Sequence, residues 1–213
     1  QSIDSKAFAY LNYNKTAYIT EVSIPASVTS LAKDAFYLAS GLKKINVADG
    51  NAAYVSSNGI VMLKDTGEIY IWPQGNETTE FILPSTMTEI PDKMFQNNTS
   101  LKKVIVPASV TKVGTYAFSS SGIEEIYFED SANGLTVGAF AFYNCPNLTS
   151  LRLPYGLTSI GASAISKTGL ETIVIPDTVT EMGGSALAYN DALKNVTLSK
   201  SLTAVPSRGF SVS

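Results

Sequence analysis

The stretch from Leu101 to Phe118 reads LKKVIVPASVTKVGTYAF. Its first half alternates apolar and polar residues, which is the pattern of a short strand with one buried face. Pro107 follows this strand and has no backbone N–H, so it ends the ladder of strand hydrogen bonds. In the second half, Ala117 and Phe118 lie four and five residues after Val113. That spacing predicts a single helical turn facing inward on the opposite wall.

The same pattern recurs along the chain with the consensus L-x-x-I-x-I-P-x-x-V-T-x-I-G-x-x-A-F. The period is 23 residues from Pro84 to Pro107 and 22 residues from Pro154 to Pro176. One such coil cannot bury its own apolar face, so neighbouring coils must stack. Six copies begin at Ile19, Thr78, Leu101, Leu148, Leu170 and Leu193, and two imperfect copies begin at Leu42 and Ile123.

These coils predict an α/β repeat solenoid, built as a right-handed leucine-rich-repeat coil. We expect one parallel sheet of about eight short strands, with short helical or irregular segments opposite. A column of alanines, Ala117 among them, indicates a place where the walls pack closely. The residues expected at equivalent buried strand positions are Val22, Ile45, Phe81, Val104, Ile126, Leu151, Ile173 and Val196.

One coil is interrupted. The distance from Ala48 to Pro84 is 36 residues, which is 13 more than a 23-residue coil. Within it, Ile60–Leu63 and Glu68–Trp72 resemble two strands joined by a glycine-containing turn. We therefore predict a β-hairpin inserted over about residues 51–77 of a single domain that spans residues 1–213. Both ends of the sequence lie within a repeat, so we expect it to be a segment of a longer protein.

The repeat core P-x-x-V-T-x-I-G-x-x-A-F resembles the BspA-like leucine-rich repeats. The segment NGIVMLKDTGEIYIWPQG, from Asn58 to Gly75, is similar to the D-G-V-L-Y-N-K-D…L-I-x-Y-P-x-G-K unit that interrupts repeats in the same family. Asn58 stands where the family often has Asp. The resemblance covers nearly the whole chain and implies bacterial secreted or surface-anchored proteins, some of which are adhesins. It supplies no catalytic residues.

The composition argues against several kinds of chemistry. The chain has no histidine, one cysteine and a net charge of −3. Without histidine there is no Ser-His-Asp triad and no HExxH zinc site, and one cysteine cannot form a thiolate zinc site. The sequence contains no phosphate-binding loop, dinucleotide fingerprint or calcium loop, and its charge does not favour nucleic acid. We therefore predict no catalytic residues, no metal and no cofactor.

Two features of the sequence could still take part in chemistry, an acidic cluster and the single cysteine. The densest acidic cluster comprises Glu124, Glu125, Glu129 and Asp130. It could be an acid/base pair or a cation site, although a solvated edge of one coil is the simpler interpretation. The single cysteine, Cys145, aligns with Ala39, Asn98 and Asn190 of other coils, which predicts a buried turn residue that packs or bonds the backbone.

The repeat also predicts which side chains point to solvent. One outward column alternates in charge from Glu21 to Glu125, and its neighbour has an apolar centre. An exposed apolar stripe with Tyr and Arg is a candidate contact site, although β-branched residues also favour strands for their own sake. The candidate ligand-binding residues are Ile82, Lys103, Ile105, Tyr127, Arg152 and Val174.

These observations favour a non-catalytic binding module that acts in adhesion or in protein or glycan interaction through the repeat surface. The family resemblance implies that it is secreted or lies at the cell surface. The expected partner is a host or bacterial surface protein or glycan, with no nucleic acid and no direct membrane insertion of this segment. One alternative is a structural spacer or stalk that presents another domain, which a featureless sheet face would favour. A second is a carboxylate-dependent carbohydrate-active enzyme, which would need two carboxylates roughly 5–10 Å apart beside a pocket.

Overall fold

The computed structural model describes residues 1–11, 19–131, 134–205 and 207–211. These residues form two compact units, an N-terminal unit of residues 1–78 and a C-terminal unit of residues 79–213. Both units consist of strands and turns, and the described residues contain no helix. The prediction of helical segments opposite the sheet is therefore wrong.

The N-terminal unit has seven strands among its described residues. Strands β1 and β3 pair in parallel, β2 and β4 pair in parallel, and the inserted strands β5, β6 and β7 form an antiparallel sheet. The bounds are β1 Ser2–Ile3, β2 Glu21–Ile24, β3 Ser30–Leu31, β4 Lys44–Val47, β5 Tyr54–Ser57, β6 Ile60–Leu63 and β7 Ile69–Ile71.

The C-terminal unit has two walls of parallel strands. The first wall comprises β8 Glu80–Ile82, β10 Lys103–Val106, β12 Glu125–Phe128, β14 Ser150–Arg152, β16 Thr172–Val174 and β18 Asn195–Thr197. Its hydrogen-bonded groups are β8-β10-β12-β14 and β16-β18. The second wall, in the order β9-β11-β13-β15-β17, comprises β9 Glu89–Ile90, β11 Lys112–Val113, β13 Leu135–Val137, β15 Leu157–Ile160 and β17 Glu181–Met182.

The first wall has the predicted parallel pairing and register. Val104 stands opposite Phe81 on one side and Ile126 on the other. Most of the eight residues expected at buried positions are buried or half-buried in their own unit. The exception is Val196, which is 36% exposed. Its strand β18 is the last strand of the first wall among the described residues, so its side chain is less covered.

The second wall was not predicted. Each of its strands runs for only two to four residues. The spacing from Val113 to Ala117 and Phe118 predicts a helical turn in this part of the coil rather than a strand. A column of glycines follows four of these five strands, β11, β13, β15 and β17, where coils approach closely. A Cβ on Gly161 would lie 2.5 Å from the backbone nitrogen of Ala139 in the preceding coil. The N–H of Gly161 instead donates to the carbonyl of Val137 at 2.7 Å.

A wall of stacked turns, which we call the turn wall, lies where the helical segments were expected. In the turn around Phe118, the N–H of Phe118 donates to the carbonyl of Ala141 in the next coil at 2.8 Å. The N–H of Ser119 donates within its own turn to Tyr116 at 3.1 Å, and that of Ser120 again reaches the next coil. Tyr116 and Ser120 have φ of 58° and 57°. These left-handed residues redirect alternate N–H groups between coils, which an α-helix cannot do.

Small and aromatic columns fill the core beneath the turns. The alanine column is fully buried at Ala35, Ala117, Ala141, Ala164 and Ala186. Phe118 stacks on Phe95 and Phe142, with ring centroids 4.8 and 5.4 Å apart. Cys145 is also fully buried, and its thiol donates to the carbonyl of Phe118 at 3.0 Å. Burial raises the pKa of this thiol, which keeps it in its unreactive protonated form.

The inserted segment is larger than the predicted two-stranded hairpin. Strands β6 and β7 pair antiparallel, with Val61 opposite Ile71. A third strand, β5, pairs with the other side of β6, so the insert is a three-stranded antiparallel sheet. Trp72, at the end of this segment, is buried.

Two tyrosines attach the insert to the parallel strands of the N-terminal unit. The N–H of Leu31 in β3 donates to the hydroxyl of Tyr54 at 3.1 Å, and the hydroxyl of Tyr70 donates to the carbonyl of Leu31 at 2.6 Å. The two side chains therefore complete the backbone bonding of β3 on the side away from β1. Burial, together with the neighbouring Tyr54 hydroxyl, raises the pKa of Tyr70 to about 12.

This attachment predicts an alkaline transition. The folded pKa of Tyr70 lies above its ordinary value of 10.0, so its contribution to the free energy of unfolding is complete below pH 10. It is lost as the pH rises from about 10 to about 12, because the phenolate has no proton to donate to Leu31. Chemical denaturation across this range measures the free energy of unfolding of wild type and of Tyr70→Phe. That free energy should depend less on pH in the variant. Tyr155→Phe, an exposed tyrosine, is the control, and equal slopes for all three proteins would contradict the assignment.

Candidate binding surface

The predicted outward column is present in the C-terminal unit. Ile105 stands opposite Ile82 on one side and Tyr127 on the other, and Tyr127 stands opposite Arg152. We call Ile82, Ile105 and Tyr127 the apolar stripe. Ile82 is 68% exposed and Tyr127 is 40% exposed, while Ile105 between them is half-buried. In-register parallel pairing therefore brings three large apolar side chains to the surface of neighbouring strands.

The charged residue on one side of the stripe is paired. Lys103 lies opposite Glu80 and Glu125 in the strand register. Its ammonium is 2.9 Å from a carboxylate oxygen of Glu125, and both side chains are about 40% exposed. An exposed pair of this kind contributes under about 1 kcal/mol. The ion pair between Lys103 and Glu125 also leaves little net charge beside the apolar stripe.

Arg152 is held at the end of the stripe by three groups. Its guanidinium is 2.7 Å from a carboxylate oxygen of Asp130 and donates to the carbonyl of Phe128 at 2.5 Å. It also lies over the Tyr127 ring, with the Cζ atom 4.9 Å from the ring centroid. Hydrogen bonding to Arg152, and then to the N–H of Tyr155, lowers the pKa of Asp130. The guanidinium is therefore fixed in orientation and presents its edge beside Tyr127.

Val174 is separate from the hydrogen-bonded column. It lies on β16, which pairs with β18 and, among the described residues, forms no ladder with β14. Val174 is 57% exposed. Val174 and Arg152 line the same cavity, which has a volume of about 430 Å³ and is also lined by Asp130, Tyr155 and Thr172. Four of the six candidate residues therefore form one column, namely Ile82, Ile105, Tyr127 and Arg152. Lys103 lies two residues before Ile105 on the same strand, and Val174 lines the hollow beside Arg152.

The acidic cluster does not form a carboxylate pair. Glu124 lies 3.2 Å from Lys102, and Glu129 accepts the N–H of Ala108 at 3.2 Å. Glu125 and Asp130 bind Lys103 and Arg152 as described above. Four cavities, including the one beside Val174, each have a single carboxylate in their lining. Within the described part of the chain, no group of three or more His, Cys, Asp or Glu residues could hold a metal ion.

Asp130 is the part of this surface that the sequence did not identify. It appeared only as one member of an acidic run, whereas it fixes Arg152 and accepts the backbone N–H of Tyr155 at 2.8 Å. The sequence feature that could have identified this contact is the spacing between Asp130 and Arg152. Asp130 precedes Arg152 by 22 residues, which is one coil, so a carboxylate and a guanidinium on adjacent coils come within reach.

Stacked coils with parallel strand walls are typical of β-solenoid repeat proteins. A family model, described as "BspA type leucine rich repeat region", matches six copies over residues 1–60, 70–186 and 131–213. The chain therefore belongs to the BspA-type leucine-rich repeat family. No curated protein sequence matches it.

Several solved structures share the fold. A leucine-rich cell surface protein of Faecalibacterium prausnitzii is 27% identical with a TM-score of 0.68, over 84% of this chain and 48% of that one. A leucine-rich repeat protein of Bacteroides ovatus is 26% identical with a TM-score of 0.60, over 92% of this chain and 55% of that one. The pneumococcal vaccine antigen PcpA is 24% identical with a TM-score of 0.63, over 97% of this chain and 44% of that one. The chain thus spans about half the length of these proteins. Nowhere in its described residues is there a helix long and apolar enough to cross a membrane.

The Asp130–Arg152 contact predicts a measurable titration. Replacing Arg152 with Gln removes the hydrogen bond and the positive charge that lower the pKa of Asp130, so this pKa should rise towards its ordinary value. Carboxyl-carbon NMR titration measures the change directly. The pKa of Asp130 is lower in the folded than in the unfolded protein, so the contact stabilises the fold at pH values above the unfolded pKa. This stabilisation is lost as the pH falls through the folded pKa. Lys103→Gln should leave Asp130 unchanged, and an unshifted Asp130 in Arg152→Gln would contradict the contact.

Proposed function

We propose that this chain is a non-catalytic binding module of a bacterial cell-surface or secreted protein, and that it binds a partner protein through the apolar stripe. The observation that carries the proposal is the exposure of Ile82 and Tyr127 in one column. At the same strand position other coils have Ser23, Asn46 and Thr197, so the fold does not require an apolar residue there. A cluster of large exposed apolar side chains is typical of interaction sites on soluble proteins.

The surroundings of the stripe favour a protein partner. Its two cations, Lys103 and Arg152, each contact a carboxylate, so the surface has little net charge to attract polyanions. Tyr and Arg are the residue types most enriched at binding hot spots. Arg152 stacked on Tyr127 is already ordered, so binding would immobilise fewer side chains. Together with Val174, these residues form the site that we propose.

The cell-surface location is part of the proposal. It is supported by the family and by the Faecalibacterium relative, which is described as a cell surface protein. The chain spans about half of that relative, so we also propose that it is a segment of a longer protein and that its two units belong to one repeat domain. The single carboxylates in the four cavities give no support to a glycosidase mechanism, which uses a pair.

The stripe is tested by the double variant Ile82→Thr, Tyr127→Ala. Both side chains are exposed, so the thermal midpoint should hardly move. Binding to whichever protein wild type captures from a panel of immobilised extracellular-matrix and bacterial surface proteins should fall at least about tenfold, as expected for hot-spot residues. Surface plasmon resonance measures the affinity and differential scanning fluorimetry the midpoint.

The matched control is Tyr189→Asn, which removes an exposed tyrosine from the turn wall of the same unit and should bind the protein as wild type does. Unchanged affinity in the double variant would place the protein site elsewhere. If wild type binds no protein on the panel, the spacer function becomes the better account of the chain.

A further inference from the structure

The turn wall of the C-terminal unit has a cavity of its own. It has a volume of about 820 Å³ and is lined by Tyr143, Asn144, Pro146, Lys167, Thr168, Tyr189, Asp191 and Ala192. The volume lies within the range typical of small-ligand pockets, roughly 300–1,000 Å³. None of these residues belongs to the apolar stripe.

Three of the lining residues occupy the same position in successive coils. Asn144, Lys167 and Tyr189 all have a left-handed backbone, with φ of 57°, 58° and 58°. This conformation suits Asn much better than bulky residues. Asn97 occupies the same position in an earlier coil with φ of 60°, so the fold accepts Asn there. A tyrosine at 189 is therefore not required by the coil.

The aromatic side chains are positioned by their neighbours. Tyr143 packs edge-on against Phe140 with centroids 5.5 Å apart, and Phe140 stacks on Tyr116 at 4.9 Å. The Lys167 ammonium lies 5.3 Å from the Tyr143 ring centroid and 5.8 Å from that of Tyr189. The two rings thus flank a cation that also keeps them in place.

The charged groups of the cavity differ from those beside the apolar stripe, because Lys167 lies against two aromatic rings and not against a carboxylate. Across the described residues, the side chains of Lys167 and Asp191 form no ion pair, either with each other or with another group. The amide of Asn144 donates to the hydroxyl of Ser120 at 3.1 Å, which leaves its oxygen as an acceptor. The rim therefore offers an ammonium donor, a carboxylate acceptor and an amide, with no net charge.

We propose that this cavity binds a neutral sugar residue of a glycan, as a second site that is independent of the protein partner. A pyranose ring has a face of C–H groups that packs on a tyrosine ring, and each of its hydroxyls both donates and accepts hydrogen bonds. That chemistry matches the two rings and the mixed rim. An anionic ligand would suit Lys167 but would be repelled by Asp191. The cavity has one carboxylate, so it would bind the sugar without hydrolysing it.

The probe is an array of neutral oligosaccharides ending in galactose, glucose, mannose or N-acetylglucosamine, with sialylated and uronic-acid oligosaccharides as the anionic arm. Wild type should bind at least one neutral oligosaccharide, with contacts detected by saturation-transfer NMR. Tyr189→Asn should weaken that binding about tenfold, since it removes one aromatic contact. Asp191→Asn keeps the shape of the side chain and should also weaken it, which provides a second test if the tyrosine variant is unstable.

Tyr127→Ala is the matched control, because it alters the apolar stripe and should leave sugar binding unchanged. The proposal is overturned if no neutral oligosaccharide binds at millimolar concentration, or if Tyr189→Asn and Asp191→Asn bind as wild type does. Binding of the anionic arm alone would also overturn it and would assign Lys167 to an anion site. Loss of sugar binding in Tyr127→Ala would place the sugar on the apolar stripe instead.

Discussion

Backbone hydrogen bonds between equivalent residues of successive coils are the constraint on which each unit depends. In the C-terminal unit they run through all three walls. Val104 pairs with Ile126 in the first, Gly161 donates to Val137 in the second, and Phe118 donates to Ala141 in the turns. Each bond joins residues about one repeat apart, so the repeat length must stay nearly constant. The inward columns must also stay small or flat enough for coils to approach, as the fully buried Ala117 and the glycine at 161 show.

The same constraint leaves the outward columns open to variation, because a backbone-bonded coil places few demands on an exposed side chain. In the first wall, one such column changes from Ile82 to Tyr127 to Arg152 while the parallel register is kept. In the turn wall, another changes from Asn97 to Tyr189 at nearly the same φ. Binding groups can therefore be introduced one coil at a time. The two proposed sites use this freedom differently. The two cations beside the apolar stripe form ion pairs, whereas Lys167 at the turn-wall cavity lies against two tyrosine rings and forms no ion pair within the described part of the chain.

Much of the first wall could be predicted from the sequence, because an alternating pattern fixes both the buried face and the register. Ile105 and Tyr127 were expected side by side and are side by side. The turn wall was predicted wrongly for a definite reason. The spacing of Ala117 and Phe118 is the same in a helical turn and in these left-handed turns, and side-chain spacing does not reveal where an N–H points. A left-handed conformation cannot be predicted from a bulky residue such as Tyr116, because bulky residues rarely adopt it.

The remaining gaps concern contacts across coils. The strand Tyr54–Ser57 was missed because its sequence, YVSS, lacks a clear apolar alternation, so the insert was predicted as a hairpin. Its role in completing the bonds of Leu31 depends on two hydroxyls that no local pattern indicates. The tether of Arg152 was missed because Asp130 lies in the irregular segment after β12. Charge partners one repeat apart should be sought in each coil of such proteins.

The most direct test of this account is to observe the turn-wall hydrogen bond itself. Scalar coupling across hydrogen bonds, measured by NMR on deuterated protein, links each amide nitrogen to the carbonyl carbon whose oxygen accepts its hydrogen bond. The account predicts a coupling from the amide nitrogen of Phe118 to the carbonyl carbon of Ala141 in the next coil. A coupling from Phe118 to Gly114, four residues earlier as in an α-helix, would contradict it. The turn wall would then be helical and its left-handed outward column would not exist.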